Sequence, residues 1–521
     1  MGAPISGLGP GRPISLRCAA PGAAGYGLAW PTMLPSGGRI AVIGAGPSGL
    51  AVAKHALEAG FDTTVFEAGD DLGGQWSTRA PYSGVWPGMR TNTSRAMTAF
   101  SDFPAPAEHP LHPTALQIHA YLRDYAAHFG VTDRIRLNAR VRRVAPSWTV
   151  DGEPFDGVVV ASGRFSKPCS LRSLEGFGGE LLHAFDYPGA DAFADRPTLV
   201  YGNGISGLEI ASDLARVAPV VSGFRKPRYV ISKVVDSVSS DWEWYTMFGA
   251  LQRRGLPREE VGRVLREKVL RVAGDPADFG APRPDPDFFA AGISLCQDYL
   301  AQVADGSITC RPGIAGIDDR TVTFTDGSQE TVEAIVCATG YDVDIPYLDD
   351  EVWGVLGPDL ALYQRTLHPD LPGFGVMGQY LAQGPYFPLL ELQARWIVGV
   401  FAGEVPLPDE AHMRELIAKP RPPLDPHNAL AFTLAEELGV APDLVARPDL
   451  SEPWLFGPML PPRYRLDGPG AQPEAAHRFR EQLAASPRSP VDPADVDALR
   501  GFGLGAIADE LQSPERALSK N

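Results

Sequence analysis

Cysteine is scarce in this chain. Its 521 residues hold five (Cys18, Cys169, Cys296, Cys310 and Cys337), and no two stand in a CxxC or CxxxxC pair. A disulfide scaffold, a zinc site and a dithiol redox centre are therefore not expected, no metal site is predicted, and the chain suits a reducing cytoplasm. Long apolar runs are missing as well: none approaches the roughly 20 residues that span a bilayer. Positive charge is in deficit. Lys and Arg number 46 against 63 Asp and Glu, a formal charge of −17, which argues against general nucleic-acid or anionic-membrane binding. Residues 1–37, rich in Gly, Ala and Pro, lack the charged start and apolar core of a signal peptide and read as a flexible extension. Met33, just before the first apolar run, is a second candidate start. The remaining composition, 44% hydrophobic and 21% charged, is that of a soluble globular protein, and the length implies two or three domains.

The chain is organised around residues 39–69. The apolar run Arg39-Ile-Ala-Val-Ile43 reads as a buried strand, and the turn Gly44-x-Gly46-x-x-Gly49 follows with Pro47 and Ser48 inside it. A helix continues from Leu50, and a second apolar run ends on Glu67. Gly44 permits the tight turn, Gly46 lets backbone approach a pyrophosphate, and Gly49 lets helix and strand pack closely. The helix N-terminus offers free N–H groups and a positive dipole end to phosphates. Glu67 stands where a carboxylate accepts from ribose hydroxyls, so a dinucleotide site is expected here.

A second unit opens with Thr198-Leu-Val-Tyr201 and Gly202-x-Gly204-x-x-Gly207, with Ser206 in the turn and a helix over about 205–217. No acid ends its second strand; Arg225, Lys226 and Arg228 stand there instead. A guanidinium fork suits the 2′-phosphate of NADP, where a carboxylate would select NAD. Helices are expected around 258–272 and 288–303, inside an insertion over 241–304 that either roofs the site or is a plain elaboration. Strands are expected at 308–312 and 321–324, with Asp326-Gly327 as a hairpin turn.

Four further motifs carry a resemblance. Gly73-Gly-Gln75-Trp76 is followed by Thr91-Asn-Thr-Ser94 and Phe100-Ser-Asp-Phe-Pro104; Phe177 to Pro188 fits FxGxxxHxxx followed by an aromatic residue and Pro; Ala338-Thr-Gly-Tyr341 is an ATGY; Gln383-Gly384 precedes Glu391-Leu-Gln-Ala-Arg-Trp396. Over about residues 38–403 the chain resembles the flavin-containing monooxygenases, close to the Baeyer–Villiger monooxygenases. The resemblance implies an α/β fold of two Rossmann-like units. The FAD unit would be 38–188 with 335–403 and the NADPH unit 189–334 inserted in it, while 404–521, which the resemblance does not cover, reads from its Pro-rich composition as a wrapping C-terminal region whose tail beyond about 486 is disordered. The same resemblance implies FAD and NADPH as cofactors, with Gln75, Trp76, Thr91, Asn92, Thr93, Val141, Thr339 and Gln383 joining the residues of the two turns in binding them. The Gly384 loop would lie against the flavin ring, with the Glu391 helix behind it. His183 is either a site residue or a linker that positions the two units. Tyr187-Pro188 stands between the patterns of the two families, closer to the first.

The function so implied is NADPH-driven reduction of FAD, addition of O₂, and transfer of one oxygen from the flavin C4a-hydroperoxide to an amine or sulfide of a small molecule. Asn92 is the protein residue expected to act, by hydrogen bonding near the flavin and the retained NADP⁺. Baeyer–Villiger oxidation of ketones is the alternative enzyme, with Arg90 or Arg95 as the cationic donor it would need. A degenerate flavoprotein serving as a binding module is the alternative outside catalysis. The sequence leaves a homodimer open.

Overall fold

The computed structural model describes residues 33–513 apart from 79, 81, 170–173, 421–424, 443, 445–446 and 486–489. Cys18, most of the expected N-terminal extension and the chain's last residues lie outside them.

Two five-stranded parallel sheets carry the architecture. The first has the order Phe374–Val376, Gly157–Val160, Arg39–Ile43, Asp62–Phe66, Ile135–Arg136. Its central strands are continuous apolar runs because both faces are covered, one by helices Pro47–Glu58 and Phe387–Phe401, the other by the antiparallel strands Val144–Ala145 and Thr149–Val150 with helix Asp350–Leu356. The second has the order Ile308–Arg311, Val220–Gly223, Thr198–Tyr201, Ala334–Cys337, Glu180–His183. Glu180–His183 and Ala334–Cys337 thus pair inside the second sheet, so that sheet extends beyond the expected 189–334 on both sides.

Local signals explain most elements. Helix Ala115–His128 opens with a capping box in which Thr114 and Gln117 satisfy each other's backbone N–H groups. Helix Pro47–Glu58 starts with Pro at its first position, where the missing N–H costs nothing. The hairpin Thr321–Phe324 to Gln329–Thr331 turns at Gly327, whose φ is +84°. Helix Phe387–Phe401 is buried along all 15 residues, including Glu391, Gln393 and Arg395. A helix apolar all round belongs in a core; this one carries charge there as well.

Two expectations need correction. The helix expected over 288–303 is three elements, Phe288–Ala291, strand Ile293–Leu295 and Tyr299–Ala304. Gly292, at φ +72°, ends the first turn, and the strand then pairs in parallel with Tyr229–Ile231. The tail expected to be disordered carries helices Pro493–Ala498 and Gly505–Leu511, and Leu499, Phe502, Leu504 and Ile507 are buried in the main core. Its apolar residues are enough to offset the entropy of ordering. Among the described residues no helix is long and apolar enough to cross a membrane.

Candidate functional site

Both glycine turns open on one cavity of about 1620 Å³, against about 300–1,000 Å³ for a pocket holding one drug-sized ligand. Gly44 and Gly202 take φ of +108° and +128°, and a Cβ on either would stand 2.6 Å and 2.3 Å from the carbonyl oxygens of Ala161 and Ala338. Gly49 and Gly207 do not line the cavity. A Cβ there would stand 1.8 Å and 2.0 Å from the carbonyls of Gly44 and Gly202, so these two glycines allow helix and strand to pack. Every other residue expected to bind a cofactor lines the cavity: Gly44, Gly46, Pro47, Ser48, Glu67, Gln75 and Trp76 in the first unit; Thr91, Asn92, Thr93 and Val141 beyond it; Gly202, Gly204, Ser206, Arg225, Lys226 and Arg228 in the second unit; and Thr339 and Gln383 on the return.

Glu67 is buried, and its two carboxylate oxygens accept the backbone N–H groups of Ala45 (2.8 Å) and Gly69 (2.7 Å). The Tyr82 hydroxyl donates to the same carboxylate, and with burial this pushes the phenol's pKa up. The acid thus anchors the first turn as well as facing the cavity. At the matching place in the second unit, Arg225, Lys226 and Arg228 have no ion-pair partner among the described residues. Asn203 fixes that basic turn by donating to the Lys226 carbonyl at 2.6 Å.

The Asn92 loop is held from both units. Thr91 donates to the Thr93 carbonyl at 2.8 Å, and the Thr93 and Thr98 hydroxyls lie 2.8 Å apart. Ser94 donates its N–H and hydroxyl to the buried Asp241 carboxylate at 2.6 and 2.9 Å, and Trp242 donates to the Ser94 hydroxyl at 3.1 Å. Burial raises the Asp241 pKa, and the Ser94 bonds oppose that rise. His112 meets the Thr91 carbonyl at 3.2 Å, and burial lowers its pKa to about 4, so it stays neutral. Asp241, Tyr245 and Arg253 line the cavity from the insertion, which therefore roofs part of the site.

His183 accepts the Phe185 N–H at 3.0 Å through Nδ1 and lies 3.1 Å from the Gly340 carbonyl through Nε2. It ties the end of one crossover to the end of the other and also lines the cavity. Tyr187 turns away: it is buried, and its hydroxyl donates to Asp213 at 2.8 Å. Thr339 donates to the Cys169 carbonyl at 2.8 Å. Strand Ala382–Gln383 pairs in parallel with Asp425–Pro426, and Gly384, at φ +126°, is wedged between Tyr245 and His427. A Cβ there would stand 2.8 Å from each. His427 meets the Pro385 carbonyl at 2.7 Å, and burial lowers its pKa to about 4. His427 and the cavity-lining Asn428 come from the C-terminal region, where the sequence shows no motif.

Behind the site, Glu391 accepts from Ser101 N–H and hydroxyl at 2.5 Å each and from Arg465 at 2.6 Å. Asp102 pairs with Lys54 at 2.5 Å and Arg465 at 2.7 Å. His55, Asp102 and Glu391 bring ligand-type atoms within 4.8 Å of one another. Lys54 and Arg465 already neutralise those carboxylates, which leaves a metal ion nothing to balance.

Residues 37–485 match the family model described as flavin-binding monooxygenase-like. The chain belongs to that family. Flavin-containing monooxygenase 5 of Oryctolagus cuniculus is 29% identical over 481 residues, covering 84% of this chain and 90% of that one. Dimethylaniline monooxygenase (N-oxide-forming) 2 of Rattus norvegicus is 30% identical over 480 residues, covering 83% and 89%. Among solved structures, the S-allyl-L-cysteine S-oxygenase of Allium sativum superposes with a TM-score of 0.57 at 22% identity, over 86% of this chain and 99% of that one. The open form of cyclohexanone monooxygenase also gives 0.57, at 19% identity over 79% and 98%. These two likenesses show the fold alone. Membership makes this chain an enzyme, a flavin monooxygenase with FAD and NADPH as cofactors. The cavity fits that pair: a Cβ on Gly204 would meet no protein atom within 4 Å, leaving the second turn open to a phosphate.

Proposed function

We propose that this monooxygenase transfers one oxygen atom to a soft nucleophile, an amine nitrogen or a sulfide sulfur, on a small molecule. The observation that carries this reading is that the Asn92 loop and both glycine turns open on one cavity. Bound FAD and NADPH supply the redox and oxygen-activating chemistry; the chain's residues bind, orient and exclude water. Gly44, Gly46 and the N-terminus of helix Pro47–Glu58 hold one pyrophosphate, and Gly202, Gly204 and the N-terminus of helix Ile205–Leu214 hold the other. Arg225, Lys226 and Arg228 take the 2′-phosphate. Thr91, Thr93 and Ser94 commit their hydroxyls to the loop and to Asp241, so Asn92 presents a rigidly carried amide to the cavity. An amide can donate and accept there without changing its charge. The N-oxide in the name of the Rattus norvegicus relative supports the same reading.

Ketone insertion is the second reading. It needs a cationic donor for a developing oxyanion. Arg95 is turned to the carbonyls of Ala107 and His109, outside the cavity lining. Arg90 lines the cavity while donating to the His112 carbonyl at 3.1 Å, and it is the candidate donor that remains of the two.

Asn92→Ala tests the proposal. The variant should keep its flavin yet lose most product, with NADPH oxidation diverted to hydrogen peroxide. A wild-type ratio of product to NADPH in that variant would refute the role of Asn92. In the wild type, lactone formed from a cyclic ketone faster than sulfoxide from a matched sulfide would move the assignment to the second reading.

A further inference from the structure

Beyond the basic turn, Arg140, Arg142, Arg164 and Arg253 line the cavity without an ion pair among the described residues, and of these only Arg253 stands on the insertion over 241–304. Arg253, in helix Met247–Gly255, lines the cavity with its guanidinium 5.9 Å from the Phe289 ring centroid, and has no hydrogen bond or ion pair among the described residues. The next residue in the same helix is the contrast. Arg254 is exposed, pairs with Glu436 at 2.8 Å and lies over the Phe432 ring at 4.7 Å. Arg254 thus has a counter-charge although water could solvate it, and Arg253, facing the cavity, has none. Burial lowers the pKa of Arg253, as expected of a cation drawn from water without a counter-charge. An uncompensated charge in such a place is costly, and a bound anion would remove that cost.

The surroundings say where the anion belongs. The Tyr245 hydroxyl also lacks a protein hydrogen-bond partner among the described residues, and the charge of Arg253 reaches it. The Tyr245 ring packs on Gly384, so the pair stands next to the loop that carries Gln383. Trp244, Leu256 and Val264 add apolar wall to the same cavity. The three cations expected at the NADPH 2′-phosphate sit on a different element, the turn after strand Val220–Gly223.

We propose that Arg253, with the Tyr245 hydroxyl, binds a carboxylate on the substrate, so that this enzyme prefers an amine or sulfide whose apolar body ends in a carboxylate. The assignment rests on the heteroatom-oxygenation reading above. A substrate held by its acid end has its remaining length directed along the apolar wall, which fixes which heteroatom is presented for oxygenation.

The test uses the FAD-loaded enzyme and two sulfides that differ only in charge, para-(methylsulfanyl)benzoate and methyl para-tolyl sulfide. The wild type should favour the benzoate in kcat/KM. Arg253→Gln should raise KM for the benzoate about tenfold or more, the size of one lost charge-assisted contact. It should leave the tolyl sulfide and the KM for NADPH unchanged, and Arg253→Lys should recover part of the loss. A raised KM for NADPH with both sulfides affected alike would assign Arg253 to cofactor phosphate and overturn the proposal, as would equal wild-type preference for the two sulfides. Should the wild type oxygenate neither sulfide, the oxygenation reading fails, yet the carboxylate site remains measurable. Non-oxidisable para-ethylbenzoate, titrated while following flavin absorbance, should bind the wild type about tenfold more tightly than Arg253→Gln. Equal binding would overturn the site itself.

Discussion

The two nucleotide turns share one backbone device and differ in what surrounds it. Both place a positive-φ glycine against the carbonyl of an alanine, Ala161 in the first unit and Ala338 in the second. Both use a third glycine to let helix and strand touch. At the middle glycine they part. A Cβ on Gly46 would stand 3.4 Å from the Cα of Gly74, whereas one on Gly204 would meet nothing within 4 Å. The first turn is backed by another stretch of chain and tied to a buried acid; the second is bare and followed by unpaired cations. On the proposed reading the first holds a cofactor that stays and the second one that comes and goes. On that reading the shared geometry recognises pyrophosphate in either case, and the difference lies in how easily the nucleotide leaves.

The largest expected effect breaks one unit at a time. Gly49→Ala and Gly207→Ala each force a Cβ onto a carbonyl within the turn. Gly49→Ala should lose bound flavin, read as the ratio of flavin to protein absorbance. Gly207→Ala should stay yellow while its flavin is no longer reduced by NADPH. If Gly207→Ala also loses flavin, the two units are not independent.

A smaller effect should follow from the end of the second strand. Each charge-assisted bond to a 2′-phosphate contributes roughly 1.5–3 kcal/mol. Arg225→Ala or Arg228→Ala should therefore lower the NADPH-to-NADH preference in kcat/KM by about tenfold or more. Equal use of both nucleotides by the wild type would make this turn ordinary surface.

The smallest effect concerns pH. His112 supports the Asn92 loop, His427 supports the Gly384 loop, and both have pKa values lowered to about 4 from the ordinary 6.5. Each folded pKa lies below the unfolded one, so the unfolded chain binds more protons between the two. The stabilisation is fully present above pH 6.5 and is lost as pH falls toward about 4. Thermal unfolding of the FAD-loaded protein should show Tm falling over that window, with a shallower fall in His427→Gln. A Tm independent of pH there would mean that these imidazoles are not held neutral.

What could be read from the sequence was whatever is local. The glycine spacings and the basic turn each specify structure within a few residues of themselves. The partners of those motifs lie far along the chain. Ser94 is held by Asp241, Ser101 by Glu391 and Arg465, and Gly384 by Tyr245 and His427, and of these partners only Glu391 sits in a motif. The strand Ile293–Leu295 was hidden for the same reason. Its pairing with Tyr229–Ile231 is a tertiary choice, and the local composition reads equally well as helix.

The ion cluster behind the site bears on how the chain is made. Lys54, Asp102 and Glu391 all leave the ribosome before Arg465, and Asp102 and Glu391 are 2% exposed or less once folded. Until that arginine emerges, Glu391 lacks its cationic partner and Asp102 lacks one of its two. Domains generally fold in order of synthesis, yet here the first nucleotide unit has all its strands before the cation that pairs with its buried carboxylates. Its buried carboxylates gain that counter-charge only once Arg465, 74 residues after Glu391, has been made.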